Sequence, residues 1–174
     1  MKIEKSIVIH QPNFLPWLGY FAKLVYAEKL IVLDNVMFSK RKHIDRVQII
    51  NSNGQPYWIG LTVGENYKTP CNKIYFEDVE HIKKLIKTIY YSYSKAKFFK
   101  NHFEFIEFIL LDSLNHSNLL SEIDLFITEG LIKLLDLNKP EIIKSSQFVE
   151  STFLNPTDRL IYLCEKVNSN KLIV

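Results

Sequence analysis

Ser6-Ile-Val-Ile-His-Gln-Pro-Asn-Phe-Leu-Pro-Trp-Leu-Gly-Tyr-Phe-Ala-Lys-Leu-Val-Tyr-Ala-Glu-Lys-Leu-Ile-Val-Leu33 is the stretch that decides the fold. It opens on a short apolar run, Ser6 to Ile9, which reads as a buried strand. His10 to Pro16 holds two prolines and an asparagine and reads as a loop. From Trp17 to Ala27 the apolar residues Trp17, Leu18, Phe21, Leu24 and Val25 fall close to helical spacing. Leu30 to Leu33 is a second apolar strand. Strand, loop, helix and strand within about 30 residues predict a βαβ unit with a parallel strand pair.

Outward from that unit, Asp34 to Asp45 is polar and basic and reads as loop or short helix. Arg46 to Ile50 and Tyr57 to Val63 flank Asn51-Ser-Asn-Gly54, a turn signal for a hairpin, with Pro56 tolerated at the start of the second strand. Gly64 to Asn72 reads as a loop, and Lys73 to Phe76 as a further short strand. From Asp78 the period becomes helical, with stripes at Ile82, Leu85, Ile86 and Ile89, then Phe103, Ile106, Ile109 and Leu110, then Leu119 through Leu134. Glu141 to Lys144 is a strand, Asn155-Pro-Thr-Asp158 a helix start, and Lys171 to Val174 a last strand. The expected fold is α/β: one domain over 1–174, a mostly parallel sheet opened by the βαβ unit, a β-hairpin insertion, and a helical middle over 78–136.

Composition narrows the function classes. The chain has 174 residues, 47% hydrophobic and 24% charged, which are globular values that disfavour disorder. A net charge of +3 is too small to imply a nucleic-acid binder. Cys71 and Cys164 have no paired spacing, which argues against a disulfide scaffold and a zinc site. His81, His102 and His116 share no metal-like spacing either. No apolar run approaches the length of a membrane span, and the start fits no signal peptide. A reduced cytoplasmic protein is the expectation, with no metal and no identified cofactor.

The chemistry concentrates in two segments. His10 to Tyr20 lies just past the C-terminal end of the first strand, where open α/β sheets bind ligands. It offers an imidazole, the amides of Gln11 and Asn13, and two stiffening prolines. The alternative is a loop whose Phe14 and Trp17 cap the core. Leu33 to Arg46 places Asp34 at the end of the second strand, near His10, and supplies Lys40, Arg41, Lys42 and Arg46. Only Arg41, Arg46 and Arg159 are arginines among 22 basic residues, and guanidinium forks suit phosphate or carboxylate. The alternative is a solvated basic loop. Ser145 and Ser146 follow a strand, where hydroxyls bind a ligand or close a turn. Phosphate-loop, dinucleotide and Gly-x-Ser-x-Gly motifs are missing from the sequence. One histidine in the first loop, where nucleotidylyltransferases carry two, ranks that analogy low.

The same segments resemble the WbqC-like family of bacterial proteins. The resemblance rests on His10 through Lys23, with Tyr20, and on Leu33-Asp34, Phe38, Lys40, Arg41 and Arg46. Trp58 to Val63, Ser145-Ser146 and Thr157 to Ile161 extend it over essentially the whole chain. It implies a setting in bacterial surface-polysaccharide clusters, including O-antigen and capsule synthesis. The chain departs from the family's pattern at Asn35, where a second acid is frequent, and at Val47, where an asparagine follows the arginine. The family also continues into a Ser-Gly-rich, Tyr-containing segment. A shortened C-terminus is therefore expected, with Val174 close to His10 and Arg41.

On this basis the expected function is modification of an amino sugar on a nucleotide or lipid carrier, by acyl or aminoacyl transfer. His10 would be the general base, with Asp34 fixing it or binding a sugar hydroxyl. Gln11, Asn13, Tyr20 and Lys23 would contact substrate, and Lys40, Arg41 and Arg46 a diphosphate. Ser145, Ser146 and Arg159 would add contacts from the other side. The rival readings are a non-catalytic sugar-nucleotide binder or assembly partner and, behind it, nucleotidyl transfer.

Overall fold

Two patterns of apolar side chains build the centre of the molecule. In the computed structural model, which describes residues 6–39, 42–63 and 68–174, strands β1 (Ser6–His10) and β2 (Lys29–Val32) pair in parallel, Ile7 opposite Lys29 and His10 opposite Val32. Strands β3 (Arg46–Ile50) and β4 (Pro56–Gly60) form a hairpin, and β5 (Glu141–Lys144) and β6 (Lys171–Ile173) return to the parallel sheet. The parallel sheet has the order β5-β2-β1-β6. By order of appearance that is third, second, first, fourth, so the strand order reverses between β1 and β6.

Alternation along β1 and β2 sends Val8, Leu30 and Val32 to one face, against Tyr20, Phe21 and Leu24 of helix α1 (Leu18–Leu24). Ile7 and Ile31 point to the other face, against Leu163 and Val167, in and just past the last helix. Both faces are covered, which is why these strands read as unbroken apolar runs. The middle of the chain adds helices α2 (Val79–Tyr93), α3 (Phe99–His116) and α4 (Leu120–Leu134). They share a second core with the hairpin, built from residues such as Ile49, Ile59, Ile82, Ile86, Leu110 and Ile123. Ile132, near the end of α4, reaches the sheet face shared with α1.

Two helix starts, those of α2 and the last helix, carry side-chain caps. Asp78 accepts a hydrogen bond from the His81 amide at 2.8 Å and caps α2. The last helix, α5 (Pro156–Lys166), begins with Asn155 accepting from the Asp158 amide at 3.0 Å and proline in its first turn.

Several boundaries differ from expectation. The first helix is shorter than Trp17 to Ala27, and β4 ends at Gly60, not Val63. The hairpin forms its own two-stranded sheet apart from the parallel one. Lys73 to Phe76 is not a strand: a 3-10 turn, Cys71–Lys73, leads into a single bridge between Tyr75 and Leu119. That segment packs on the start of α4, where the Leu120 amide donates to the Ile74 carbonyl at 2.8 Å, so no second strand is available to it. Tyr90 and Tyr91 are exposed near the end of α2, while Tyr93 packs against the core. No helix among the described residues is long and apolar enough to cross a membrane.

Candidate functional site

The C-terminal ends of β1, β2 and β5 bring two clusters side by side, joined by the backbone bond from the Leu33 amide to the His10 carbonyl, 2.8 Å. A parallel sheet binds ligands at such an edge, where the strand order reverses. The first cluster surrounds His10. Its Nδ1 lies 3.1 Å from the Gln11 carbonyl oxygen and 3.2 Å from Asn13 Nδ2. The tautomer protonated on Nδ1 donates to Gln11 and leaves Nε2 as the lone-pair nitrogen; the other accepts from Asn13. Burial lowers the His10 pKa against the opposing pull of the Gln11 carbonyl, and electrostatic repulsion from the Lys23 and His43 side chains lowers it further. The imidazole is therefore held neutral near pH 7, the state a base requires.

An aromatic row runs outward from that ring. Tyr20 and Trp17 stand edge-on to His10 at 5.0 and 5.6 Å, and Trp17 meets His43 at 4.9 Å. His43 in turn lies 6.1 Å from Trp58 on the hairpin, and the Arg46 guanidinium sits 5.8 Å from the Trp58 ring centre. The Phe14 amide donates to the His43 carbonyl at 2.8 Å, which ties the two loops together. Gly19 lets Trp17 fold back over the start of α1, because a Cβ there would come within 2.8 Å of the indole nitrogen. Trp17 and Trp58 keep about two-fifths of their surface exposed, 39% and 46%.

The second cluster surrounds Asp34. Its Oδ1 accepts from the Ser146 amide at 2.9 Å and lies 3.2 Å from Ser145 Oγ. Its Oδ2 accepts from Ser146 Oγ at 2.6 Å and from Asn72 Nδ2 at 3.4 Å. Asn35 Oδ1 lies 2.6 Å from Ser145 Oγ and accepts from the Arg159 guanidinium. This clamp ties the end of β2 to the end of β5 and to α5. Burial lowers the Arg159 pKa, opposed by the Asp34 charge, and arginine stays cationic regardless.

The sequence-predicted residues therefore divide. His10, Asn13 and Tyr20 come together, and Lys23 lies within electrostatic reach of the imidazole. Gln11 meets His10 through its backbone while the residue itself is exposed. Asp34, Ser145, Ser146 and Arg159 assemble in the clamp, whose hydrogen bonds run to one another and not to His10. Arg46 stands apart from Arg159, over Trp58 and 3.7 Å from an Asp45 oxygen. Lys40 and Arg41 lie outside the described residues. Strand β6 runs alongside β1 with Ile173 beside Val8, toward the His10 end.

Sequence reasoning missed His43, which sat unremarked in the basic run, and the buried polar face of α4. Ser121, Asp124 and Thr128 are all buried, and their spacing of three and four residues was the signal available. Cys164 is half-buried, and burial raises its pKa. Burial pushes the Cys71 thiol up to about 12. An apolar recess of about 440 Å³ lies away from both clusters, between the hairpin and α2–α3, touching the first loop only at Leu15.

One family match covers the residues of both clusters except His10, which precedes its first matched position. The model of the WbqC-like protein family matches residues 11–174. The chain belongs to this family. A curated relative, an uncharacterized protein of Mycobacterium tuberculosis, is 25% identical over 116 residues, 66% of this chain and 50% of that protein. The chain thus spans about half the length of the curated relative it matches. No solved structure matches.

Proposed function

We propose that this WbqC-like protein works in bacterial surface-polysaccharide synthesis, as a transferase that acylates or aminoacylates an amino sugar on a nucleotide or lipid carrier. The observation that carries the reading is His10: a neutral imidazole at the end of β1, beside the point where strand order reverses, flanked by the exposed Trp17 ring and the buried Tyr20 ring. Trp17 and Trp58 suit stacking against a sugar or base face, and the Arg46 guanidinium beside Trp58 suits a phosphate. Lys40 and Arg41 remain diphosphate ligands on the sequence pattern. The apolar recess gives a lipid carrier a place to rest.

In this reaction the sugar amine attacks the carbonyl carbon of an activated acyl donor, an ester or thioester. A C–N bond forms, the donor's alkoxide or thiolate leaves, and the amine proton passes to His10. His10 returns that proton to the leaving group. Asn13 orients the ring, and the Asp34 clamp holds the β2 and β5 ends in place around it.

A second reading, a non-catalytic sugar-nucleotide binder, draws on Asp34. Its oxygens are engaged by serines and Asn72, which leaves His10 without a carboxylate partner among the described residues. Incubation of the purified protein with nucleotide sugars and candidate acyl donors, read by mass spectrometry, separates the two. The transferase gives a product heavier by one acyl group, abolished in His10→Ala. Binding without any mass change favours the binder, and a His10→Ala variant with full turnover removes His10 as the base.

A further inference from the structure

Asp34, Asp45 and Asp124 are the buried aspartates among the described residues. Two of them face donors or a cation: Asp34 its serines and Asn72, Asp45 the Arg46 guanidinium at 3.7 Å. Asp124, on α4, is different. It is 0% exposed, and neither carboxyl oxygen has a hydrogen-bond partner among the described residues. Two more buried oxygens nearby in the fold are also without partners, Oγ of Ser121 one helical turn earlier and Oδ1 of Asn72. Asn72 belongs to the 3-10 turn that packs on α4, and its amide nitrogen contacts Asp34. The polar row thus runs from the Asp34 clamp inward to α4. On the other side, Tyr20 feels the Asp124 charge and stands edge-on to His10.

Burial, reinforced by the Asp45 charge, holds the Asp124 carboxyl well above the usual carboxylate range. An unpartnered buried acid costs stability, and an apolar residue of similar size would pack there without that cost. The unmatched atoms of these three residues are all oxygens able to accept, the Ser121 hydroxyl being able to donate as well. A ligand ammonium is their complement, with three donors and no acceptor. A neutral hydroxyl brings one donor and no charge.

We propose that Asp124, Ser121 and Asn72 form the inner wall of the site and seat the amino group of the ligand's sugar as an ammonium. This rests on the sugar-modifying reading and names the group recognised. Asp124 supplies charge, Ser121 and Asn72 supply oxygens, and the seated amine lies on the Tyr20 side, toward His10. His10 takes one proton from that ammonium, which frees the lone pair for attack, and passes it to the leaving group; it then takes the second proton, released as the C–N bond forms, and gives it up to solvent.

Calorimetric titration of the purified chain tests this with UDP-glucose, UDP-glucosamine and the 4-amino-4-deoxy counterpart of UDP-glucose. The expected result is that one amino form binds at least tenfold tighter than UDP-glucose, and that Asp124→Asn reduces the preference to within about twofold. Equal binding of amino and hydroxyl forms by the wild type, or a preference that survives Asp124→Asn, overturns the proposal. If none of the three binds, the nucleotide-carrier reading fails, and free sugars decide the inference. Millimolar glucosamine that raises the wild-type melting temperature, where glucose does not and Asp124→Asn does not respond, supports the ammonium seat. No difference between the two sugars overturns it. Should Asp124→Asn not fold, Ser121→Ala carries the same comparison, with a severalfold loss of the amino preference expected and an unchanged preference overturning it.

Discussion

Asp34 and Asp124 are both buried aspartates at the same end of the parallel sheet, and they are treated in opposite ways. Asp34 is met by the Ser146 amide and by the side chains of Ser145, Ser146 and Asn72. Asp124 is met by no donor among the described residues. A satisfied buried carboxylate holds structure together, because removing it strands every donor aimed at it. An unsatisfied one opposes folding. Two identical side chains thus mark two regions, a clamp that builds the sheet edge and a buried polar face whose carboxyl meets no donor among the described residues.

The largest expected effect breaks the clamp. Asp34→Ala leaves the Ser145 and Ser146 hydroxyls, the Ser146 amide and the Asn72 amide without their acceptor. It is expected to destabilise the fold by about 3–5 kcal/mol, as loss of one partner from a buried charged network does. Urea denaturation measures this. A loss below about 1 kcal/mol would mean that solvent reaches these donors and that Asp34 is not the tie between β2 and β5.

Asp124→Leu is the counterpart, of opposite sign. Removing an unpartnered buried acid is expected to leave stability unchanged or raise it by about 1–2 kcal/mol. The gain should depend on pH. The folded-state pKa of Asp124 is raised, by burial and then by Asp45. The folded protein therefore holds this proton more tightly than the unfolded chain. The Asp124 contribution is most favourable below the unfolded pKa of about 4 and is lost as pH rises toward the folded value. The advantage of Asp124→Leu over the wild type should then grow between pH 4 and 7, by at most about 1.4 kcal/mol per pH unit. An advantage that shrinks over that range would show a carboxylate ionised and partnered in the fold.

The two regions were unequally legible in the sequence. The βαβ unit could be read because the apolar period changes from a continuous run to helical spacing and back within one stretch, and His10 falls at its loop. Asn155 and Pro156 announced α5 through local chemistry alone. The clamp was visible only as parts. Asp34 and Ser145 stand 111 residues apart, and nothing local says that they meet. Lys73 to Phe76 misled because a short apolar run fits either a strand or a packed turn, and contact with α4 decided it. Asp124 was hidden by its own helix. Ile123 and Ile127 flank it on a stripe that reads as core, and the polar spacing of Ser121, Asp124 and Thr128 was absorbed into it. A polar residue on a helix face that is otherwise buried signals a site only once the structure removes its partners.

The smallest effect concerns the boundary between the two regions. His10 has a lowered folded-state pKa, chiefly through burial. The unfolded chain therefore binds this proton more readily. The neutral ring's contribution is intact above the unfolded pKa of about 6.5 and is lost as pH falls below it, toward the folded value. His10→Gln removes that dependence, so wild-type and variant stability curves should converge at pH 5 and separate at pH 7. The difference should stay under about 1 kcal/mol, since solvent reaches part of the ring. This slope is opposite in sign to that of Asp124, and it occupies a higher pH range than the onset of the Asp124 loss. A double variant, His10→Gln with Asp124→Leu, should lose both slopes, and additivity would mean that Tyr20 separates the two groups electrostatically. Non-additivity would place the imidazole and the carboxyl in one coupled unit, as a base and an ammonium seat serving the same amine require.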